Sequence, residues 1–176
     1  VSLLLDHDVA MRAWLSQRYF KNFVWDKLFK RELFKDLRFP EDQNYMEDAV
    51  VGTQLFDKSS LVVYSGKIGY YYFQRKGSTT NLNDFNINWL AGIEDAKRML
   101  IFSQENGGKY DEEVSARLVL ALFLTIDKIC NSNSNTYDYL IPQFISDIKN
   151  NRKPTNRKYI NGYNMLFIMA ICTGLN

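Results

Sequence analysis

Two adjacent carboxylates, Glu47 and Asp48, stand at the beginning of a stretch with helical spacing. A carboxylate at a helix N-terminus can be presented into a cleft as a general base, because the helix dipole keeps it ionised there. The same residues also fit a capping box, in which Asn44 caps the helix and Glu47 is its reciprocal partner. The spacing alone favours the capping box, and the catalytic interpretation stays open beside it.

A second acidic pair, Asp6 and Asp8, surrounds His7 after an apolar run that is typical of a strand. A strand that ends in Asp-x-Asp can hold Mg²⁺ or Mn²⁺ against a diphosphate, since these cations prefer hard oxygen ligands. The simpler interpretation is that an aspartate caps a helix starting at Asp8, and so short a motif favours the cap. A phosphoryl-transfer site at Asp6 and Asp8 is the weaker alternative.

A third cluster, after the last predicted strand, combines cations, a glycine and hydroxyl groups. Arg75 and Lys76 precede Gly77, and Ser78 begins a run of three hydroxyl side chains. Such a segment can cradle an anion, because cations and backbone N–H groups converge on it, and it also fits a solvated loop leaving an edge strand. The glycine spacing of the phosphate-binding loop of nucleotide hydrolases is absent.

Aromatic residues offer a fourth kind of chemistry. Trp14, Trp25, Trp89 and the stretch 70–73 could stack on sugars. Aromatic residues at strand or helix spacing more often fill a core, and the pattern favours that interpretation.

Composition narrows the choice further. The chain has 1 His and 2 Cys among 176 residues, which excludes zinc ribbons, metal sites with two histidines and any Cys-x-x-Cys redox pair. A net charge of +2 is too small to indicate a nucleic-acid partner. Acid–base chemistry therefore falls mainly to carboxylates.

The elements that must position these residues divide the chain into residues 1–80 and residues 81–176. Apolar periodicity and β-branched or aromatic runs predict helices and strands in the first part and helices alone in the second. The predicted helices are 8–17, 26–34, 47–58, 84–105, 112–130, 137–150 and 159–173, and the predicted strands are 61–64 and 68–73. The expected fold is α+β and predominantly helical, with a two-strand element in a short mixed front half and a four-helix C-terminal bundle.

The order of several short motifs adds a more specific expectation. These motifs are, along the chain, Trp25-Asp26-Lys27-Leu28, Arg31-Glu32-Leu33-Phe34, Leu37-Arg38-Phe39-Pro40-Glu41, Glu47-Asp48-Ala49, Tyr70-Tyr71-Tyr72 and Arg75-Lys76-Gly77-Ser78. Their succession resembles the acceptor-side half of bacterial family-2 glycosyltransferases, the inverting nucleotide-sugar enzymes that build capsules and other surface polysaccharides. Asp26 stands where these enzymes usually have Asn, and the helical remainder resembles only in kind their variable C-terminal extension.

The resemblance implies a role for each of five residues. Asp48 removes the proton from an acceptor hydroxyl as its oxygen attacks the anomeric carbon of the donor, with inversion, and Glu47 orients the acceptor. Arg75, Ser78 and Lys27 steady the departing diphosphate, where negative charge develops.

The resemblance also implies a nucleotide-binding half that ends in a metal-binding Asp-x-Asp. Nothing in the 176 residues supplies that half, and Asp6-His7-Asp8 lies too close before Asp48 to serve as its end. We therefore expect a piece of a longer glycosyltransferase that is inactive alone, with no cofactor of its own and with Mg²⁺ or Mn²⁺ in the full-length enzyme. The alternative is a non-catalytic helical docking module derived from a transferase.

The expected partners are a nucleotide-sugar donor and a saccharide or lipid-linked acceptor, with no nucleic acid among them. The expected location is the cytoplasm, where peripheral association with the inner face of the membrane would bring the enzyme to its acceptor.

Overall fold

The computed structural model describes residues 2–17, 19, 21–41, 46–73, 85–160, 164 and 168. The chain divides into two compact units, Val1–Gln74 and Arg75–Asn176, and each unit has a hydrophobic core of its own. Helices predominate in the described residues, and two short strands accompany them. The predicted fold class, α+β with mostly helix, is confirmed at this level.

The first unit contains a two-stranded antiparallel sheet made of β1 (Leu3–Asp6) and β2 (Leu61–Tyr64). The register pairs Leu3 with Tyr64 and Asp6 with Leu61. The strand predicted at 61–64 is confirmed, but the strand predicted at 68–73 is wrong, because those residues adopt no regular structure. Residues 68–73 are rich in β-prone aromatic residues, but β2 pairs with β1 instead, and that pairing joins residues far apart in the chain.

Two helices, α1 (His7–Leu15) and α2 (Glu47–Asp57), pack against each other in this unit. Trp14 of α1 is fully buried, and its indole Nε1 donates to Thr53 Oγ1 at 3.0 Å. The same ring stacks on Phe56 with 4.4 Å between centroids. Its six-membered ring lies against Gly52, where a Cβ atom would overlap it. The close approach of the two helices therefore depends on a glycine facing a tryptophan.

The helix predicted at 26–34 is wrong. Only Arg31–Phe34 is helical, as a single 3₁₀ turn, and Lys30 before it is extended, with φ −63° and ψ 134°. Phe29 packs against the small core formed by Leu37, Val51 and Leu55 without helical spacing. A folded loop buries the apolar side chains of this segment. Apolar periodicity over nine residues does not distinguish such a loop from a short helix.

The second unit is helical in its described part. Its helices are α3 (Ala91–Glu105), α4 (Asp111–Cys130) and α5 (Ile141–Asn151), with 3₁₀ turns at Ile87–Leu90, Asp138–Leu140 and Pro154–Tyr159. The central helix α4 packs against both α3 and α5. It begins with three acidic residues, which the positive end of the helix dipole stabilises.

Three of the four predicted C-terminal helices are confirmed, with starts shifted by up to seven residues. The helix predicted at 159–173 lies mostly outside the described residues. Asn164 and Ile168 within it are helical, and Ile168 is fully buried in the core of the unit. Within the described ranges, no helix has the length and apolar character that crossing a membrane requires.

Candidate functional site

Glu47 and Asp48 are the first two residues of α2. Met46 before them is the N-cap residue and adopts the left-handed conformation, with φ 60° and ψ 16°, and it makes no side-chain cap hydrogen bond. A capping box would make Glu47 the third helical residue, so that interpretation is wrong on register, and Asn44 lies outside the described residues. Among the described residues, the helix start therefore carries two carboxylates and no side-chain cap.

Asp48 is half-buried, and one backbone group holds it. The N–H of Val24 donates to Asp48 Oδ2 at 3.3 Å. Among the described residues no other hydrogen bond or ion pair involves Asp48 or Glu47, and both side chains are partly exposed. A carboxylate that accepts a single long hydrogen bond keeps lone pairs available for the proton of an incoming hydroxyl group.

Lys27 lies in the segment that provides the Val24 N–H. Its ammonium group donates to the backbone carbonyls of Lys21 and Phe23 and to the carboxylate of Asp26, which occupies its three donors. The Lys27 side chain is only 11% exposed. In this structure Lys27 stabilises the loop over residues 21–27. To contact a diphosphate, as predicted, it would have to release these hydrogen-bond partners.

Arg75 and Ser78, the other two residues predicted to bind the diphosphate, lie outside the described residues, as do Lys76 and Gly77. Their role stays a prediction.

The acidic pair near the start of the chain caps a helix. Asp6 is the N-cap residue of α1, and its Oδ1 accepts the N–H of Val9 at 2.9 Å. The cap interpretation is confirmed, with Asp6 rather than Asp8 as the capping residue. Among the described residues, no three His, Cys, Asp or Glu side chains are grouped so that they could hold a metal ion.

His7 is held by the far end of α2. Its Nδ1 donates to the carbonyl oxygen of Ser59 at 3.1 Å, so Nδ1 carries a proton. Its Nε2 lies 3.8 Å from Asp57 Oδ1. The hydroxyl of Ser59 donates to the Leu55 carbonyl instead of facing the imidazole, so these three side chains do not form a nucleophile–base–acid arrangement.

A surface cluster of aromatic rings includes two residues of the loop that contacts Asp48. Trp25 stacks on Phe23 and on Tyr72 and makes a tilted contact with Tyr70, with centroid distances of 5.0, 5.2 and 4.6 Å. The expectation of core burial is confirmed for Trp14 and is wrong for residues 70–73, which are exposed. Sequence reasoning missed Phe23, and the alternation of Phe23 with Trp25 is the signal that could have found it.

The described part of the second unit contains two pairs of ionisable groups that include buried residues. Arg117 donates to Asp95 Oδ2 at 2.8 Å, and both residues are buried. Burial raises the pKa of the Asp95 carboxyl and lowers the pKa of the Arg117 guanidinium, in each case against the effect of its partner. Tyr159 donates to Glu113 Oε1 at 2.6 Å, and burial together with this bond raises the pKa of the Tyr159 phenol. Sequence reasoning missed these pairs, whose partners are far apart in the chain.

Comparisons with protein-family models, with curated proteins and with solved structures found no match to this chain.

Proposed function

We propose that residues 1–80 carry the acceptor side of an inverting nucleotide-sugar glycosyltransferase of surface polysaccharide synthesis, with Asp48 as its general base. The observation that supports this most is the placement of Asp48. It lies at an uncapped helix start, is partly exposed, and one backbone N–H orients it. The order of motifs in the sequence supplies the reaction class.

In this proposal the reaction is one displacement. The acceptor oxygen forms a bond to the anomeric carbon of the donor while its proton passes to the carboxylate of Asp48. The bond from that carbon to the diphosphate breaks, and the electron pair leaves with the diphosphate. Glu47, one residue earlier and also partly exposed, would orient the acceptor, and Arg75 and Ser78 would stabilise the leaving group.

The donor-binding half is assigned to a longer parent chain, and residues 1–176 alone would not turn over. The resemblance assigns the divalent cation to that half, and no step here depends on it. We further place the parent enzyme in the cytoplasm at the inner face of the membrane. The predicted helix at 159–173 would complete a four-helix bundle over residues 81–176, in agreement with the burial of Ile168.

The test is substitution of Asp48 in the full reading frame that contains these residues. Release of nucleoside diphosphate is measured with UDP- and GDP-sugars in the presence of saccharide acceptors. We expect Asp48→Asn to lower turnover by about 10²–10⁴-fold, the usual contribution of a general base.

The matched control is Asp57→Asn, which removes a carboxylate from the other end of the same helix and should leave turnover unchanged. Full turnover by Asp48→Asn would overturn the assignment of the base. A reading frame without a donor-binding half would favour the non-catalytic docking module instead.

A further inference from the structure

We propose that Phe23, Trp25, Tyr70 and Tyr72, here called the aromatic platform, bind a pyranose ring of the acceptor. The acceptor would then be a saccharide recognised through its ring face, rather than a simple alcohol. This inference rests on the proposed function for its role in catalysis, but saccharide binding itself can be measured without turnover.

The platform is a stack of rings. Trp25 is its centre and contacts the other three members, with interplanar angles of 19° to Phe23, 18° to Tyr72 and 38° to Tyr70. At centroid distances of 5.0 and 5.2 Å the two near-parallel pairs meet face to face, so the ring faces open to a ligand are those of the outer members.

The outer members of this stack remain open to solvent. Phe23 is 44% exposed, and Tyr70 and Tyr72 are each 49% exposed. Contiguous exposed aromatic surface is uncommon on a folded domain and marks interaction sites. The phenol groups of the two tyrosines add hydrogen-bonding groups at the edge of an apolar surface.

This combination fits a sugar. A pyranose presents C–H groups on a ring face and hydroxyl groups around its edge, so it needs an aromatic surface together with a few polar groups. The phenol groups of Tyr70 and Tyr72 supply such polar groups, which the hydroxyl groups of a sugar would use and lipid chains would not.

The platform is also connected to the proposed base. Val24, between Phe23 and Trp25, donates its N–H to Asp48. A sugar bound on the platform would therefore lie beside the segment that orients the carboxylate.

The test uses the full 176-residue chain and saturation-transfer NMR. The probes are the methyl pyranosides of glucose, galactose, mannose and N-acetylglucosamine, at concentrations up to about 100 mM, which saturate even a site with millimolar Kd. We expect saturable transfer to ring C–H protons for at least one probe, and at least tenfold weaker binding for Tyr70→Ala and for Tyr72→Ala.

The matched control is Tyr71→Ala, which removes the ring between these two tyrosines. Tyr71 is 92% exposed and is not part of the stack, so its removal should leave binding unchanged. Absence of saturable transfer with all four probes would overturn the proposal. Equal weakening of pyranoside binding by all three variants would overturn it as well.

A second arm separates a saccharide from a membrane. Liposomes of phosphatidylglycerol and phosphatidylethanolamine are mixed with the wild-type chain and the same variants and sedimented. Sedimentation that requires Tyr70 and Tyr72, without a response to any pyranoside, would assign the rings to a lipid surface and overturn the proposal. Because no donor is present, pyranoside binding can succeed while Asp48→Asn remains active, and it can fail while Asp48 proves essential.

Discussion

The carboxylates of the two units of this protein lie in opposite environments. In Arg75–Asn176, Asp95 and Glu113 lie in the interior, and each contacts a partner from a different helix or turn. In Val1–Gln74, Glu47 and Asp48 lie at an exposed helix start, and one backbone N–H is the described hydrogen bond to the pair.

The difference shows that a perturbed pKa is a poor guide to chemistry in this molecule. Burial shifts the pKa values of Asp95 and Arg117, but the two groups neutralise each other inside a packed core. Perturbed groups of this kind are candidates for function only when they also face a cleft. Here accessibility distinguishes Asp48, and burial against Arg117 identifies Asp95 as structural.

The largest effect should come from breaking the buried pair. Arg117→Met leaves the carboxyl of Asp95 in the core without its partner, and we expect a loss of about 3–5 kcal/mol in the free energy of unfolding. Replacing both residues, as Asp95→Leu with Arg117→Met, should recover most of that loss. The measurement is hydrogen exchange of α4 peptides across a urea series, which reports this region by itself.

The control is the exposed ion pair between Lys97 and Glu94, whose charged atoms are 3.1 Å apart. Lys97→Met should change stability by less than about 1 kcal/mol, because water screens such a pair. Similar losses for Arg117→Met and Lys97→Met would remove the distinction between buried and exposed charge on which the comparison rests.

A smaller effect is expected from overpacking the first unit. Gly52→Ala places a methyl group into the ring of Trp14, and we expect a loss of about 1–3 kcal/mol, measured by exchange of α2 peptides. Gly92→Ala in α3 is the matched change, because a Cβ there has no neighbour within 4 Å. It should stabilise its helix by about 0.5–1 kcal/mol, and a loss at both glycines would contradict the packing described here.

The smallest effect is expected at the start of α2. Met46 adopts a left-handed conformation that costs a residue with a side chain about 1–2 kcal/mol, while glycine tolerates it at an entropic cost. Met46→Gly should therefore stabilise the first unit by about 0.5–1 kcal/mol in a urea titration. Met46→Ala keeps the Cβ atom and should show no gain, and a loss for Met46→Gly would indicate that the Met46 side chain contributes more than its backbone strain costs.

The long helices were predictable because their apolar spacing continues over several turns. The helix predicted at 112–130 differs from α4 by one residue at its start, and the stop predicted around residue 106 coincides with Gly107 and Gly108, whose φ angles are 69° and 75°. The predictions of a helix at 26–34 and of a strand at 68–73 were wrong, because the conformation of a short segment depends on its tertiary contacts.

Only part of the candidate site could likewise be predicted from the sequence. Asp48 and Glu47 could be selected from the sequence, since adjacent carboxylates at a helix start are a local pattern. Three features could not be predicted: the uncapped helix start, the hydrogen bond from Val24 to Asp48, and the use of all three donors of Lys27. Each depends on a loop whose contacts span several residues.

The sequence by itself determined which segments form long helices, which residues carry charge, and which reaction class their order resembles, because these properties are encoded in neighbouring residues. Tertiary structure alone decided that β2 pairs with β1, that Asp95 meets Arg117, and that Trp25 contacts Tyr70 and Tyr72 at the surface. Those contacts join residues separated by 22 positions in one case and by more than forty in the others, and a single sequence does not reveal which distant side chains burial brings together.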